Sequence, residues 1–223
     1  MKTARVNRLC QTTETNCGPT ALAQLFSFYG NNVDPQDIEK RIAMAEIGTL
    51  DGFLGQAAIK YGYKTRITPQ NLFVFDPTWT GLANRDLVAK LREFKEITKN
   101  KGLKLSLTGY IGFLEMGGKI DFKTLSVKLL VEKFKKHPVL IGLCSTYLYG
   151  IARPANAAAN YRDGHFVVLE SYDQKTDKFS VIDPYHSIPF SKSGRYKVKS
   201  DRLIESMFLA EATYDCAILE IWK

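Results

Sequence analysis

Long apolar runs are missing from this 223-residue chain. The longest nearly unbroken one, Pro138 to Cys144, falls far short of the ~20 residues a helix needs to cross a bilayer, so no membrane span is expected. The opening residues, Met1-Lys2-Thr3-Ala4-Arg5-Val6-Asn7-Arg8, lack the apolar core of a secretory signal, and a cytoplasmic protein is the expectation. Cysteine is scarce: Cys10, Cys17, Cys144 and Cys216 form no C-x-x-C pair, and with His137, His165 and His186 they show no zinc-ligand spacing. Free thiols in a reducing compartment follow, without a structural metal. No G-x-S-x-G is present to make a serine-hydrolase elbow. Gly112 to Lys119 fails as a phosphate loop, because Gly118 intervenes between Gly117 and Lys119, and Ile120 follows the lysine where a hydroxyl is required. Repeats and Pro/Gly/Ser-rich linkers are also absent, so residues 1–223 read as one domain.

What is present is ordinary globular material, 45% hydrophobic and 24% charged, which excludes disorder. Thirty-one basic against 23 acidic residues leave a net charge of +8. The lysines are mixed with Glu and Asp, as in Asp86 to Lys104, where Leu87, Leu91, Phe94 and Ile97 form the dry side of a charged helix. That pattern is a solvated surface, and no nucleic-acid partner is expected.

The N-terminal half reads as helical. Leu22, Leu25, Phe26 and Tyr29 recur at helical spacing after Cys17, with Pro19 in the first turn and Gly30 as the stop. Asp34-Pro35 opens a second helix, and Leu50 to Tyr61 is a third with one apolar stripe. Residues 64–122 are expected to be a partly helical insertion with an extended stretch at Leu72-Phe73-Val74-Phe75. An amphipathic helix over Phe122–Lys136 ends at Pro138. Strands follow at Val139–Leu143, His165–Tyr172, Lys178–Asp183 and Ala217–Trp222, with Asp173–Asp177 as a five-residue hairpin loop. Helices first and strands after indicate α+β.

Four residues suggest chemistry. Cys17 opens a helix, where the unsatisfied N–H groups favour a thiolate, and Gly18 would let a substrate backbone approach. A small buried residue is the plain alternative for a lone cysteine. If Tyr172 pairs with Lys178, Asp183 faces Val167 and becomes a diagonal neighbour of His165 on one face of the sheet, within reach of a hydrogen bond. That is the geometry of a base with its orienter; a plain turn at Asp183-Pro184 and a core histidine at His165 are the alternatives. The 148 positions from Cys17 to His165 fit the ~130–150 window of papain-like enzymes. Gln11, six positions before Cys17, could donate its amide to a developing oxyanion beside the Cys17 N–H.

Gln11-x5-Cys17-Gly18-Pro19-Thr20-Ala21-Leu22-Ala23, Gly164-His165-Phe166-Val167-Val168-Leu169 and Ile182-Asp183-Pro184-Tyr185 together resemble the C39-like cysteine peptidases, a papain-like group. The resemblance covers residues 9–62 and 138–190. It implies a papain-like fold in which a helical part starting at the nucleophile packs on a C-terminal antiparallel sheet. It also implies Cys17 as nucleophile, His165 as general base and acid, Asp183 as orienter and Gln11 as oxyanion donor. A peptide or protein substrate, no cofactor and a bacterial cytoplasm come with it. The best-known members remove double-glycine leaders and are fused to membrane exporters. This chain shows neither spans nor nucleotide motifs, so only the catalytic machinery is carried over. Peptide hydrolysis is the leading expectation; acyl transfer through the same thioester and peptide binding without cleavage stay open.

The flanking residues have plainer readings. Cys10, Cys144 and Cys216 read as non-catalytic, His186 as part of a turn and His137 as a helix-end group. Tyr147, Tyr149 and Tyr161 flank a loop that could line a cleft or simply be exposed.

Overall fold

A seven-stranded sheet organises the molecule, in the order β2-β1-β7-β3-β4-β5-β6. The computed structural model describes residues 5–42, 48–151, 163–214 and 216–223. The strands are β1 (Lys64–Pro69), β2 (Lys119–Ile120), β3 (Val139–Cys144), β4 (Gly164–Asp173), β5 (Lys178–Ile182), β6 (Arg195–Lys199) and β7 (Ala217–Trp222). All neighbours are antiparallel except β1 and β2. The helices are α1 (Cys17–Phe28), α2 (Pro35–Glu39), α3 (Asp51–Lys60), α4 (Asn84–Ile97), α5 (Lys101–Glu115), α6 (Val127–Phe134), α7 (Ser145–Tyr149) and α8 (Ser200–Phe208).

Side-chain alternation splits the core in two. Leu140, Phe166, Val168 and Ile182 face one way and pack with α1, α3, α4 and α5. Ile141, Val167, Leu169 and Val181 face the other way, against Leu130 of α6 and Leu203 and Met207 of α8. Because both faces are covered, β3 is an unbroken buried run rather than an alternating one. The first helix is likewise buried from Cys17 to Ser27, so α1 is a central element and not a surface helix.

The middle of the chain departs from expectation. Leu72–Phe75 is a turn built on the Asn71 carbonyl, with Leu72 67% and Phe73 57% exposed. The strand lies just before it: in β1, Thr65 and Ile67 are buried while Lys64 and Arg66 point outward. Residues 64–122 therefore supply two strands of the sheet, and the strands are not confined to the C-terminal half. The charged helix is also interrupted. It stops at Ile97, which is 72% exposed, and Asn100 caps a new helix by accepting from Leu103 N at 3.0 Å. Three glycines made α5 hard to recognise, since glycine disfavours helix interiors. Their use is close packing: a Cβ on Gly52 of α3 would lie 2.6 Å from the Gly109 carbonyl carbon. Gly112 is inside α5, so residues 112–119 form no phosphate loop.

Asp51 is shut into that helix crossing. Its Oδ2 accepts from Tyr110 Oη at 2.7 Å and its Oδ1 from Gly52 N at 2.8 Å. Burial nevertheless outweighs these bonds and lifts its pKa to about 7. A carboxyl raised in the folded state contributes stability that is complete below ~3.9 and is lost as pH rises through about 7. Asp51→Asn keeps the shape without the charge. It is expected to melt at least ~2–4 °C above the parent at pH 8 and close to it at pH 4, by calorimetry.

The hairpin that carries His165 and leads into Asp183 reaches the expected register by a different route. At the turn Asp173 pairs with Lys178 and Tyr172 with Phe179, one step from expectation, leaving a four-residue loop. A bulge at Glu170 then removes the offset, so that Leu169 faces Val181 and Val168 faces Ile182. Asp183 thus leaves β5 diagonal to His165, as the simple pairing required.

Candidate active site

Cys17 is the first residue of α1 and is 7% exposed. The space beside Gly18 is not open to a substrate: a Cβ there would sit 3.2 Å from both Leu54 Cδ1 and Phe166 Cδ2. The glycine instead lets α1 settle onto β4 and α3, which holds the thiol against the sheet. Asn16 gives α1 no side-chain cap. Its amide turns back into the preceding loop, accepting from Thr12 N and Thr13 N at 3.2 and 3.1 Å and donating to Thr12 Oγ1 and Glu39 Oε1 at 2.9 and 2.8 Å. One buried side chain therefore shapes the loop from Gln11 to Cys17.

His165 is the second residue of β4, opposite Leu143, and is fully buried. Its Nε2 lies 2.8 Å from Asp183 Oδ1, and the Cys17 thiol is hydrogen-bonded to the imidazole. With Nε2 committed to the carboxylate, Nδ1 is the nitrogen left for sulfur. Tyr149 and Tyr185 present their rings at a steep angle to the imidazole, with centroids 6.2 and 6.3 Å away. Burial alone would lower the His165 pKa. The charge and hydrogen bond of Asp183, with a smaller contribution from Cys17, overcome it and lift the value to about 9.

Asp183 is buried and accepts four hydrogen bonds. Oδ1 takes His165 Nε2 and, at 2.9 Å, Tyr185 N; Oδ2 takes the hydroxyls of Tyr149 at 2.9 Å and Tyr196 at 2.7 Å. Burial would raise its pKa, but His165 and these donors hold it below the usual carboxylate range. The same neighbourhood pushes Tyr196 well above 10, by burial and by the adjacent carboxylate. The Tyr196 phenol therefore stays protonated and remains a donor.

Gln11 is buried, and its backbone N–H donates to Pro184 O at 2.8 Å, beside Asp183. One hydrogen of Nε2 goes to Thr13 O at 2.8 Å, leaving the second; the buried Oε1 has no partner among the described residues.

The structure thus brings Cys17, His165 and Asp183 into one chain of hydrogen bonds, with Gln11 on the loop that joins them. It leaves the other thiols and imidazoles elsewhere. Cys10 is exposed, Cys144 and Cys216 are buried, His186 is exposed, and His137 stacks on Trp222 near the far end of β3. Tyr149 goes to Asp183 rather than to a cleft wall, whereas Tyr147 bonds to Glu205 of α8. Tyr161 lies outside the described residues. Sequence reading missed Tyr196 altogether. Had β6 been recognised from the alternation Arg195-Tyr196-Lys197-Val198, its pairing with Val181 would have set Tyr196 diagonal to Asp183.

No helix among the described residues is long and apolar enough to cross a membrane. No curated protein matches the chain by sequence. Among the solved structures that share its fold, two align at a TM-score of 0.50. The peptidase domain of Streptococcus ComA, a bi-functional ABC transporter involved in quorum sensing, is 13% identical, with a TM-score of 0.50 over 97% of this chain and 98% of that one. A protein designated a C39-like peptidase, from Bacillus anthracis, is 16% identical, with a TM-score of 0.50 over 99% of this chain and 96% of that one. The fold is therefore α+β and papain-like, as in the C39 peptidase domains. The profile of the Peptidase_C39 like family runs from residue 3 to residue 204, through the cysteine helix and the hairpin bearing His165 and Asp183, and the chain belongs to that family.

Proposed function

We propose that this protein is a cysteine peptidase that cleaves a peptide or protein substrate through a thioester on Cys17. The observation that carries the reading is the buried run of hydrogen bonds from Cys17 through His165 to Asp183. An imidazole with a pKa of about 9 is protonated at neutral pH and favours a thiolate beside it. The thiolate attacks the scissile carbonyl. The oxyanion is held by the second Nε2 hydrogen of Gln11 and the Cys17 N–H at the positive end of α1. Nδ1 of His165 gives its proton to the leaving amine, then takes one from the water that opens the thioester. Asp183 fixes the ring and stabilises its charge throughout. The chemistry calls on no cofactor.

Thiol labelling tests this directly, because the two accessible outcomes are opposite. Cys10 is exposed and Cys17 nearly covered, so accessibility alone makes Cys10 react first. An activated Cys17 reverses the order: at pH 6 an ordinary thiol is under ~1% ionised, and a paired one gains up to ~100-fold. Limiting iodoacetamide followed by peptide mapping is expected to find the label on Cys17. Preferential labelling of Cys10 at pH 6 would sink the reading. Peptide pools digested with and without added amines then separate hydrolysis from acyl transfer.

A further inference from the structure

The segment before the site holds its two halves together. Residues Val6 to Gln11 run between α1, which carries Cys17, and the chain leaving β5, which carries Asp183. On the α1 side, Asn7 N donates to Ser27 Oγ at 2.8 Å and Leu9 N to Gln24 Oε1 at 2.9 Å. On the sheet side, three successive carbonyls are taken in order. Asp183 O accepts from Arg8 Nε at 3.3 Å, Pro184 O from Gln11 N at 2.8 Å, and Tyr185 O from Arg8 Nη2 at 3.0 Å. Val6 is buried, and its carbonyl accepts from Arg195 of β6.

Gly194 completes the seat. It has φ +69°, its carbonyl accepts from Asp183 N at 2.8 Å, and a Cβ there would lie 2.3 Å from Arg8 Nε and 2.8 Å from Asp183 O. Only a residue without a side chain admits the guanidinium. The planar fork of arginine holds two carbonyls in one fixed geometry, which the rotatable donors of a lysine ammonium on its flexible stem do not.

We propose that Val6–Gln11 is a strap that sets the approach of the Cys17 thiol to the His165–Asp183 pair, with Arg8 as its positioning residue. This rests on the peptidase reading above. Arg8 touches no reacting atom; it acts by fixing the backbone on either side of Pro184, and so the direction from which the Asp183 carboxylate meets Nε2. A displacement of about 1 Å in such a relay costs on the order of 100-fold in rate.

The test is the iodoacetamide rate constant of Cys17 from pH 5 to 9, by intact mass and peptide mapping, in a Cys10→Ser background with melting recorded alongside. Arg8→Gln and Gly194→Ala are expected to slow Cys17 by about tenfold or more at pH 6, with Arg8→Lys between them and the parent. A role in mere anchoring predicts the opposite sign: a loosened fold exposes the buried thiols, so Cys17, Cys144 and Cys216 would all label faster. That result, or an unchanged Cys17 rate and pH profile with a lowered melting point, overturns the strap. Should Arg8→Gln not fold, Arg8→Lys and Gly194→Ala decide by the same rates. If the parent Cys17 is itself unreactive at pH 6, the peptidase reading falls and the strap proposal with it; if the parent is reactive and the variants match it, the strap alone falls.

Discussion

Replacing His165 with alanine is expected to lower peptide cleavage by ~10³-fold or more and to abolish the preference of alkylators for Cys17 at pH 6. In the proposed mechanism the imidazole does two things in sequence, keeping sulfur ionised and delivering a proton to the amine, and no other group among the described residues stands in its place. His186 is exposed two residues beyond Pro184, and His137 is stacked on Trp222. Alanine also leaves Asp183 with Tyr185 N, Tyr149 and Tyr196 as donors, so the carboxylate stays satisfied and the variant should fold. Cys17→Ala is expected to remove cleavage entirely. The double variant should be no worse than Cys17→Ala alone, because residues that act as a unit are not additive. Initial rates on one cleaved peptide, with melting curves as the control, measure all three. A His165→Ala rate within tenfold of the parent would remove this histidine from the mechanism.

The same residues show what could be read from the sequence. The helix starting at Cys17 and its stop were legible, since helical spacing, Pro19 and Gly30 are local signals. So was the pairing that makes Asp183 a neighbour of His165, although the simple pairing reached it without the bulge at Glu170, which corrects a hairpin loop one residue shorter than expected. Bulges carry no strong composition signal, and two errors of one residue cancelled. Residues 64–122 stayed opaque for a different reason. Gly109 and Gly112 of α5 serve contacts with α3, and β1 finds its partner β7 about 150 residues later, so neither element is specified by its own neighbourhood. Tyr149 and Tyr196 were invisible as a pair because a clamp on one carboxylate oxygen requires α7 and β6 to converge on it. Sequence order separates them by the whole of β4 and β5.

Converting Asp183 to asparagine is expected to cost ~10²–10⁴-fold in cleavage at pH 8 and to move the alkaline limb of the pH–rate profile from about 9 to below ~6.5. The argument is one of opposing effects on His165. Burial favours neutral imidazole, and the Asp183 carboxylate is the main influence against it. An amide can still accept from Nε2, but it carries no charge, so burial wins and the ring is neutral where the parent is protonated. The amide is also short of acceptors. Asp183 receives donors on both oxygens, and asparagine must turn its NH₂ toward either His165 and Tyr185 N or the two phenols. The first choice imposes the wrong tautomer on the ring; the second forces Tyr149 and Tyr196 to reorient. Stability should follow the same logic. In the parent, the raised His165 pKa contributes stability that is complete below ~6.5 and lost as pH rises through about 9. The depressed Asp183 pKa contributes above ~3.9 and is lost on acidification through its lower folded value. The melting-point gap between parent and Asp183→Asn is therefore expected to be widest from about pH 4 to 6.5 and to narrow above 9. An alkaline limb that stays near 9 in the variant would show that the charge of Asp183 is not what keeps His165 protonated.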